Sequence, residues 1–447
     1  MSKARKFHLA LYSMLPVTHH SMATWKDPHN MTRGFQFDRP EVWQYVGQLA
    51  ERGCFDFFFS ADTEGIYSEY KDSYKYAVRY AAQVPCFDQV PCFDQVTLLS
   101  FVAAATRNIG VVATSSINGH PPYITARKFA TFDHMSHGRA GWNVVTAFHK
   151  RAAENLGRED QIEHDERYDM ADEYMDVCYK LWDSWEPDAV VQDVENDIFA
   201  DPAKVHEINH DGKYYKSRGP LNVNRSPQGK PLIVQAGQSS RGIRFAAQHA
   251  EAVFTIQPFV SGMKSYHDKL KSKMVELGRD PSTCKIFFDF QPIVADSDSA
   301  AQEIADMHNS LLTVEAGMTI LSGHLGYDLS KEDPNGSVEN LKVPGIQGLI
   351  DVHKGPESKN ITLAEIALLH ARSVSGPQVV GSAKTVADWM EAAMADVGGD
   401  GFLLSPIYLP GSLEKFVDLV VPELQRRGLL RTSYVPGGTL RDNLMAF

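Results

Sequence analysis

The residues that could do chemistry lie close behind short apolar runs. Pro231-Leu-Ile-Val-Gln-Ala-Gly-Gln-Ser-Ser-Arg-Gly242 reads as a strand, a tight turn and a helix start. Gly237 permits close backbone approach. Ser239 and Ser240 stand where a helix is capped, and free first-turn amides beside hydroxyls make a phosphate site. An ordinary capped helix reads the same way. His164 and Tyr168 are four residues apart and share one helix face, so together they suit a phosphate or a polar ring, or simple surface decoration. Asp62 ends the run Phe-Phe-Phe-Ser-Ala-Asp, and Thr114, Ser115 and Ser116 end another. Asn143 lies inside a third apolar run, where its amide needs a partner, structural or functional.

His19 and His20 follow the first apolar run and are candidates to orient a substrate or move a proton; solvated loop histidines are the other reading. His134, His137, His206 and His210 combine with no Asp, Glu or Cys at metal-ligand spacing, so no metal is expected. Gly237-Gln-Ser-Ser-Arg241 lacks the second glycine of a nucleophile elbow, which disfavours that route to hydrolysis.

These residues need elements to hold them. Strands are expected at 6–14, 55–62, 109–116, 139–148, 231–237, 252–257, 284–295 and 401–406. Each is apolar nearly throughout, as strands covered on both faces are. Helices are expected between them, at 41–52, 97–106, 124–135, 165–185, 241–250, 263–277, 299–315 and 413–427. Eight alternating pairs are the count of a (β/α)8 barrel. A doubly wound open sheet has the same alternation, but no GxGxxG or GxxxxGK[ST] is present. On a barrel, residues ending strands face the catalytic mouth.

The chain has 447 residues and a formal charge of -12, which argues against a nucleic-acid surface. Its 43% apolar content fits a globular protein, and no apolar window is long enough to span a membrane. Five scattered cysteines without a CxxC pair suggest a reducing compartment, and the cytoplasm is expected. The apolar start carries His8 and Pro16 and lacks a cleavage signal, so it is not read as a leader. Three insertions interrupt the alternation, at 63–93, 186–230 and 318–375. Loops of that length are usually covers or binding loops. A perfect tandem Val-Pro-Cys-Phe-Asp-Gln at 84–95 reads as a small surface duplication.

Several stretches, taken together, carry a resemblance. They are Arg52-Gly-Cys-Phe-Asp-Phe-Phe-Phe-Ser-Ala-Asp62, Pro122-Tyr-Ile-Thr-Ala-Arg-Lys-Phe-Ala130 and Gly138-Arg-Ala-Gly-Trp-Asn-Val-Val-Thr146. Further along are His164-Asp-Glu-Arg-Tyr168, Leu181-Trp-Asp-Ser-Trp185, Gly219-Pro-Leu-Asn-Val223, Val234-Gln-Ala-Gly-Gln-Ser239 and Val420-Val-Pro-Glu-Leu-Gln-Arg-Arg-Gly428. The chain resembles the nitrilotriacetate / dibenzothiophene-sulfone monooxygenase family, within the bacterial-luciferase-like flavin superfamily.

The resemblance implies one (β/α)8 barrel over the whole chain that uses FMN in reduced form. A separate NAD(P)H-dependent reductase would supply the FMNH2, and O2 and a small organic molecule would be the substrates. Flavin contacts would fall on Asp62, Thr114, His164, Tyr168 and Ser239, with Ser239, His164 and Tyr168 toward the phosphate and Asp62 and Thr114 toward the ring. His19, His20 and Asn143 are the candidates for chemistry, and segments 67–80 and part of 318–375 for a cover. The closest impression is of sulfone cleavage beside sulfur. A self-associating barrel is also implied, with the tail 432–447 as a candidate interface element. A deazaflavin-dependent hydride transferase and a non-catalytic flavin binder are the competing readings.

Overall fold

The computed structural model describes residues 6–14, 20–30, 36–80, 92–147, 149–338, 341, 343 and 361–447. Eight strands form the expected barrel: β1 (His8–Tyr12), β2 (Phe57–Ser60), β3 (Gly110–Ser116), β4 (Ala140–Val145), β5 (Leu232–Gln235), β6 (Ala252–Thr255), β7 (Lys285–Val294) and β8 (Gly401–Leu404). Each is parallel to the next, and β1 pairs with β8 to close the ring. Every one lies within a stretch expected from its apolar run. Those runs are buried on both faces because odd and even positions serve different cores. Ala10, Tyr12, Phe57, Phe59, Val112, Val234, Phe254, Phe287 and Leu403 form the inner cluster. Leu9, Phe58, Val111, Trp142, Ile233 and Phe402 pack outward against helices. The Phe59 and Phe254 rings lie 4.5 Å apart, so the barrel is a packed core and its upper rim forms the mouth.

The helices that matter for the mouth are α1 (Pro40–Arg52), α2 (Gln95–Ala105), α3 (Pro122–Met135), α4 (His164–Trp182), α5 (Ser240–His249), α6 (Val260–Glu276), α7 (Asp298–Ser310), α8 (Val314–Leu325), α9 (Leu363–Ser373) and α10 (Ala383–Val397). The start of α4 is fixed by the Glu163 carboxylate, which accepts from the amides of Asp165 and Glu166 at 2.8 and 3.1 Å. Its buried face carries Tyr168, Tyr174, Met175, Cys178, Leu181 and Trp182.

The structure differs from expectation after β7. The helix expected at 299–315 stops at Ser310, and Thr313 caps a new helix, α8. Helix α10 and a ninth strand, Gln378–Gly381, were not expected from the sequence. That strand pairs only with the upper half of β7 and lies outside the ring. The segment expected as a loop at 318–375 holds most of α8 and all of α9. The last expected helix is broken, with a wider turn at Phe416–Val420 between Gly411–Lys415 and Val421–Arg426. The 186–230 insertion is polar, as expected, and forms two small hairpins. Most of the duplicated hexapeptide lies outside the described residues. No helix among the described residues is long and apolar enough to cross a membrane.

Candidate functional site

Four groups of side chains gather at the upper rim. The first is at the start of α5. The Gly237 amide donates to Gln235 Oε1 at 2.5 Å, and the Tyr266 hydroxyl donates to the Gly237 carbonyl at 2.8 Å. The turn between β5 and α5 is therefore held from both sides. Ser239 caps α5, accepting from the Gly242 amide at 3.0 Å. A Cβ on Gly237 would come within 2.8 Å of the Gly242 backbone, and one on Gly242 within 2.9 Å of the Tyr168 hydroxyl. These two glycines let the α4 tyrosine reach the first turn of α5. Burial raises the Tyr168 pKa, while Ser239 and the Arg167 and Arg241 charges pull the other way. The hydroxyl is thus a neutral donor at the positive end of a helix. His164, one turn earlier, is exposed with its ring 5.3 Å from that of Tyr168. Ser239, Tyr168 and His164 are therefore brought together.

The second group joins β2, β3 and β4. Thr114 Oγ1 donates to the Ser60 carbonyl at 2.9 Å, and Asn143 Nδ2 donates to Thr114 Oγ1 at 2.9 Å. Asn143 is 1% exposed, and its Oδ1 is buried with no hydrogen-bond partner. A buried amide oxygen left unpaired costs about 1–3 kcal/mol, so it marks a place where a ligand donor fits. Asp62 accepts from the Thr63 amide at 2.8 Å and lies 3.6 Å from Cys92 Sγ. Burial, then the neighbouring Glu64 charge, pushes its carboxyl up to about 8. A protonated carboxyl can donate a hydrogen bond, as an ionised one cannot.

The third group is Tyr12, His20, Asp289 and Ser405. His20 is buried, its ring 4.2 Å from that of Tyr12 and its Nδ1 3.1 Å from Asp289 Oδ1. The Ser405 hydroxyl donates to the same carboxylate oxygen. His19 lies outside the described residues.

The fourth group lies between α8, α9 and the loop after β2. Helices α8 and α9 cross closely because Gly317 faces the Ala367 carbonyl, which a Cβ there would approach to 2.2 Å. One side of the pair meets Met22 and Ile256 at the rim, and the other meets Tyr70 in the loop after β2. His324 Nδ1 and His370 Nε2 hydrogen-bond between the two helices at 2.7 Å. The Tyr67 ring lies 5.6 Å from both His324 and His149. Thr63 Oγ1 lies 3.0 Å from His149 Nε2.

Tyr67, His149, His324, His370 and Asp289 were not singled out in the sequence. His149 and Tyr67 follow β4 and β2, so their place behind a strand was a usable signal. Asp289 was visible as a lone carboxylate in an apolar strand. Nothing local marks His324 and His370. No cluster suited to a metal ion occurs among the described residues.

The luciferase-like monooxygenase family profile matches residues 23–401. The chain is 37% identical to the dibenzothiophene-sulfone monooxygenase of Rhodococcus erythropolis (strain XP), covering 99% of this chain and 97% of that protein. It is 37% identical to the dimethyl-sulfide monooxygenase of Hyphomicrobium sulfonivorans, covering 98% of this chain and 90% of that protein. The crystal structure of DmoA from Hyphomicrobium sulfonivorans superposes with a TM-score of 0.90 at 37% identity, covering 99% of this chain and 93% of that one.

Proposed function

The chain belongs to the luciferase-like monooxygenase family and is a monooxygenase; we propose that it uses reduced FMN delivered by a separate NAD(P)H-dependent reductase to oxygenate a small organosulfur-type molecule. The observation that carries this reading is the start of α5, where Ser239 and the Tyr168 hydroxyl meet over two close-packed glycines. Phosphate chemistry matches that donor set. Ser239, Tyr168 and His164 would hold the FMN phosphate. Thr114, Asn143 and Asp62 would hold the ring end, where the unpaired Asn143 oxygen and the protonated Asp62 carboxyl offer one acceptor and one donor. Reduced FMN supplies the electrons that activate O2. The protein's own part is to orient the ring, exclude water and hold the substrate beside it.

His20 stands on the opposite wall of the mouth from Thr114 and Asn143, and with His19 it is the proposed group for substrate positioning or proton movement. Helices α8 and α9, with the Tyr67–Tyr80 loop, are the proposed cover. Two relatives are named as monooxygenases of a sulfone and of a sulfide, which supports the organosulfur reading. Hydride transfer without oxygen is not favoured, because the relatives at this level of identity are named as oxygenases.

The test is an anaerobic titration with photoreduced and oxidised FMN, followed by an oxygen pulse. Preferential binding of reduced FMN, weakened by Ser239→Ala, is expected. Equal affinity for both redox states, or no effect of the substitution, overturns the reading.

A further inference from the structure

The inference concerns Asp289 and rests on the reading of the upper rim as the reaction site. Asp289 is carried by β7 among the apolar residues of the barrel and is 0% exposed. Oδ1 accepts from Ser405, and Oδ2 is buried with no hydrogen-bond partner. Space for Oδ2 is kept by Gly376, where a Cβ would approach it to 2.6 Å. A buried carboxylate is costly unless a neighbour offsets its charge. That neighbour is His20, with Nδ1 3.1 Å from Oδ1.

The His20 backbone segment is itself anchored. Ser21 Oγ lies 2.8 Å from His308 Nε2, and His308 Nδ1 lies 2.7 Å from Asp27 Oδ2. His308 and Asp27 are 0% exposed, as is Ser21. This buried Ser21–His308–Asp27 chain ties the 20–30 segment to α7. The imidazole of His20 therefore meets the carboxylate from a fixed position, with its ring tilted against that of Tyr12.

We infer that Asp289 is a positioning residue that fixes the tautomer of His20 and so makes His20 the proton acceptor of the site. The contact is not aligned as a hydrogen bond, and it does not need to be. A carboxylate oxygen at 3.1 Å repels a lone pair on Nδ1 and attracts a proton there. The lone pair is then on Nε2, at the far side of the ring. Ser405 holds the carboxylate in place.

The chemistry this serves is cleavage next to a heteroatom. Oxygenation of a carbon bonded to sulfur or nitrogen leaves a hydroxyl on that carbon. The hydroxyl proton passes to His20 Nε2, the C–O bond becomes C=O, and the C–S or C–N electron pair leaves with the heteroatom. Proton and electrons balance with no further reagent.

The experiment reads the tautomer directly, by long-range proton–nitrogen NMR of protein labelled with 15N-histidine. The His20 signals are identified by their loss in His20→Gln. A proton on Nδ1 is expected in the wild type, and a smaller share of that form in Asp289→Asn, which lacks the carboxylate charge. A shift toward the Nε2–H form is expected in Asp289→Ala and a smaller one in Ser405→Ala, which also serves if Asp289→Ala fails to fold. An Nε2–H tautomer in the wild type, or one pattern unchanged across all four proteins, overturns the inference. Reduced-FMN affinity is expected to change less than twofold in these variants. Loss of flavin binding by the wild type would instead strike the functional reading and leave the tautomer result standing.

Discussion

Asp62 shows how one carboxyl can be set by its surroundings. Burial and Glu64 push it up to about 8, so it is neutral over most of the working range. An acid whose folded pKa is raised contributes stability that is present below its ordinary range and lost as pH rises through the folded value. Wild type is therefore expected to lose stability between pH 5 and pH 9 relative to Asp62→Asn, read as a falling difference in urea midpoint. If Asp62 donates to the flavin ring, reduced-FMN affinity should also fall about tenfold above pH 8 in the wild type and stay flat in the Asn variant. At Ser239 two losses coincide in one substitution. Ser239→Ala removes the cap on the Gly242 amide, about 1 kcal/mol of stability. If Ser239 holds the FMN phosphate as proposed, the substitution also removes a charge-assisted hydrogen bond, and Kd for reduced FMN should rise at least tenfold. A fluorescence titration and a thermal melt separate the two.

The proposed cover is built at the scale of elements, and two glycines set its packing. Gly317 allows α8 to lie against the Ala367 carbonyl, and Gly323 leaves room for the Tyr67 ring, which a Cβ would approach to 2.3 Å. Gly317→Ala must push the two helices apart and stretch the 2.7 Å contact between His324 and His370. Faster limited proteolysis within 314–375 is expected, with α4 and α5 unaffected; equal cutting rates would refute the account of the crossing. The sequence displayed the barrel strands plainly, because a strand buried on both faces must be apolar at every position. The capped start of α5 was legible for a related reason, since a capped helix after a strand has a local signature. The cover was not. Gly and Pro throughout its segment look like a loop, whereas α8 is a helix stabilised by tertiary burial of nearly its whole surface. Nor was the His20–Asp289 pair legible, because 269 residues separate partners that only barrel closure brings together.

For the molecule as a whole, the lower end of the barrel is where chain ends, charge and core meet. Part of the 432–447 tail packs into this chain's own barrel. Leu440 and Leu444 are 0% exposed and belong to the inner cluster. Gly110 makes room for Leu440, which a Cβ there would approach to 2.5 Å. Beneath them Asp56 accepts from Arg431 Nη2 at 2.5 Å and from the Leu9 amide at 3.0 Å, with His8 Nδ1 at 3.1 Å. The His8 ring stacks on Phe447 at 4.4 Å, and Lys285 donates to the Phe447 carbonyl at 2.9 Å. Burial alone would raise the Asp56 pKa, but the His8 and Arg431 charges hold it below the ordinary range. An acid whose folded pKa is depressed contributes stability above its ordinary range, and that stability is lost as pH falls through it. Arg431→Met leaves the buried carboxylate without its closest cation, which should cost about 3–5 kcal/mol near neutral pH. The variant's deficit should shrink as pH falls, because its carboxyl protonates more easily in the folded state and the unpaired charge is then removed. Adding Asp56→Asn should recover much of the loss, since no charge is then left unpaired. Urea melts of the single and double variants at pH 5 and pH 8 decide the point: additive losses in the double variant would show that the tail is held by apolar packing alone.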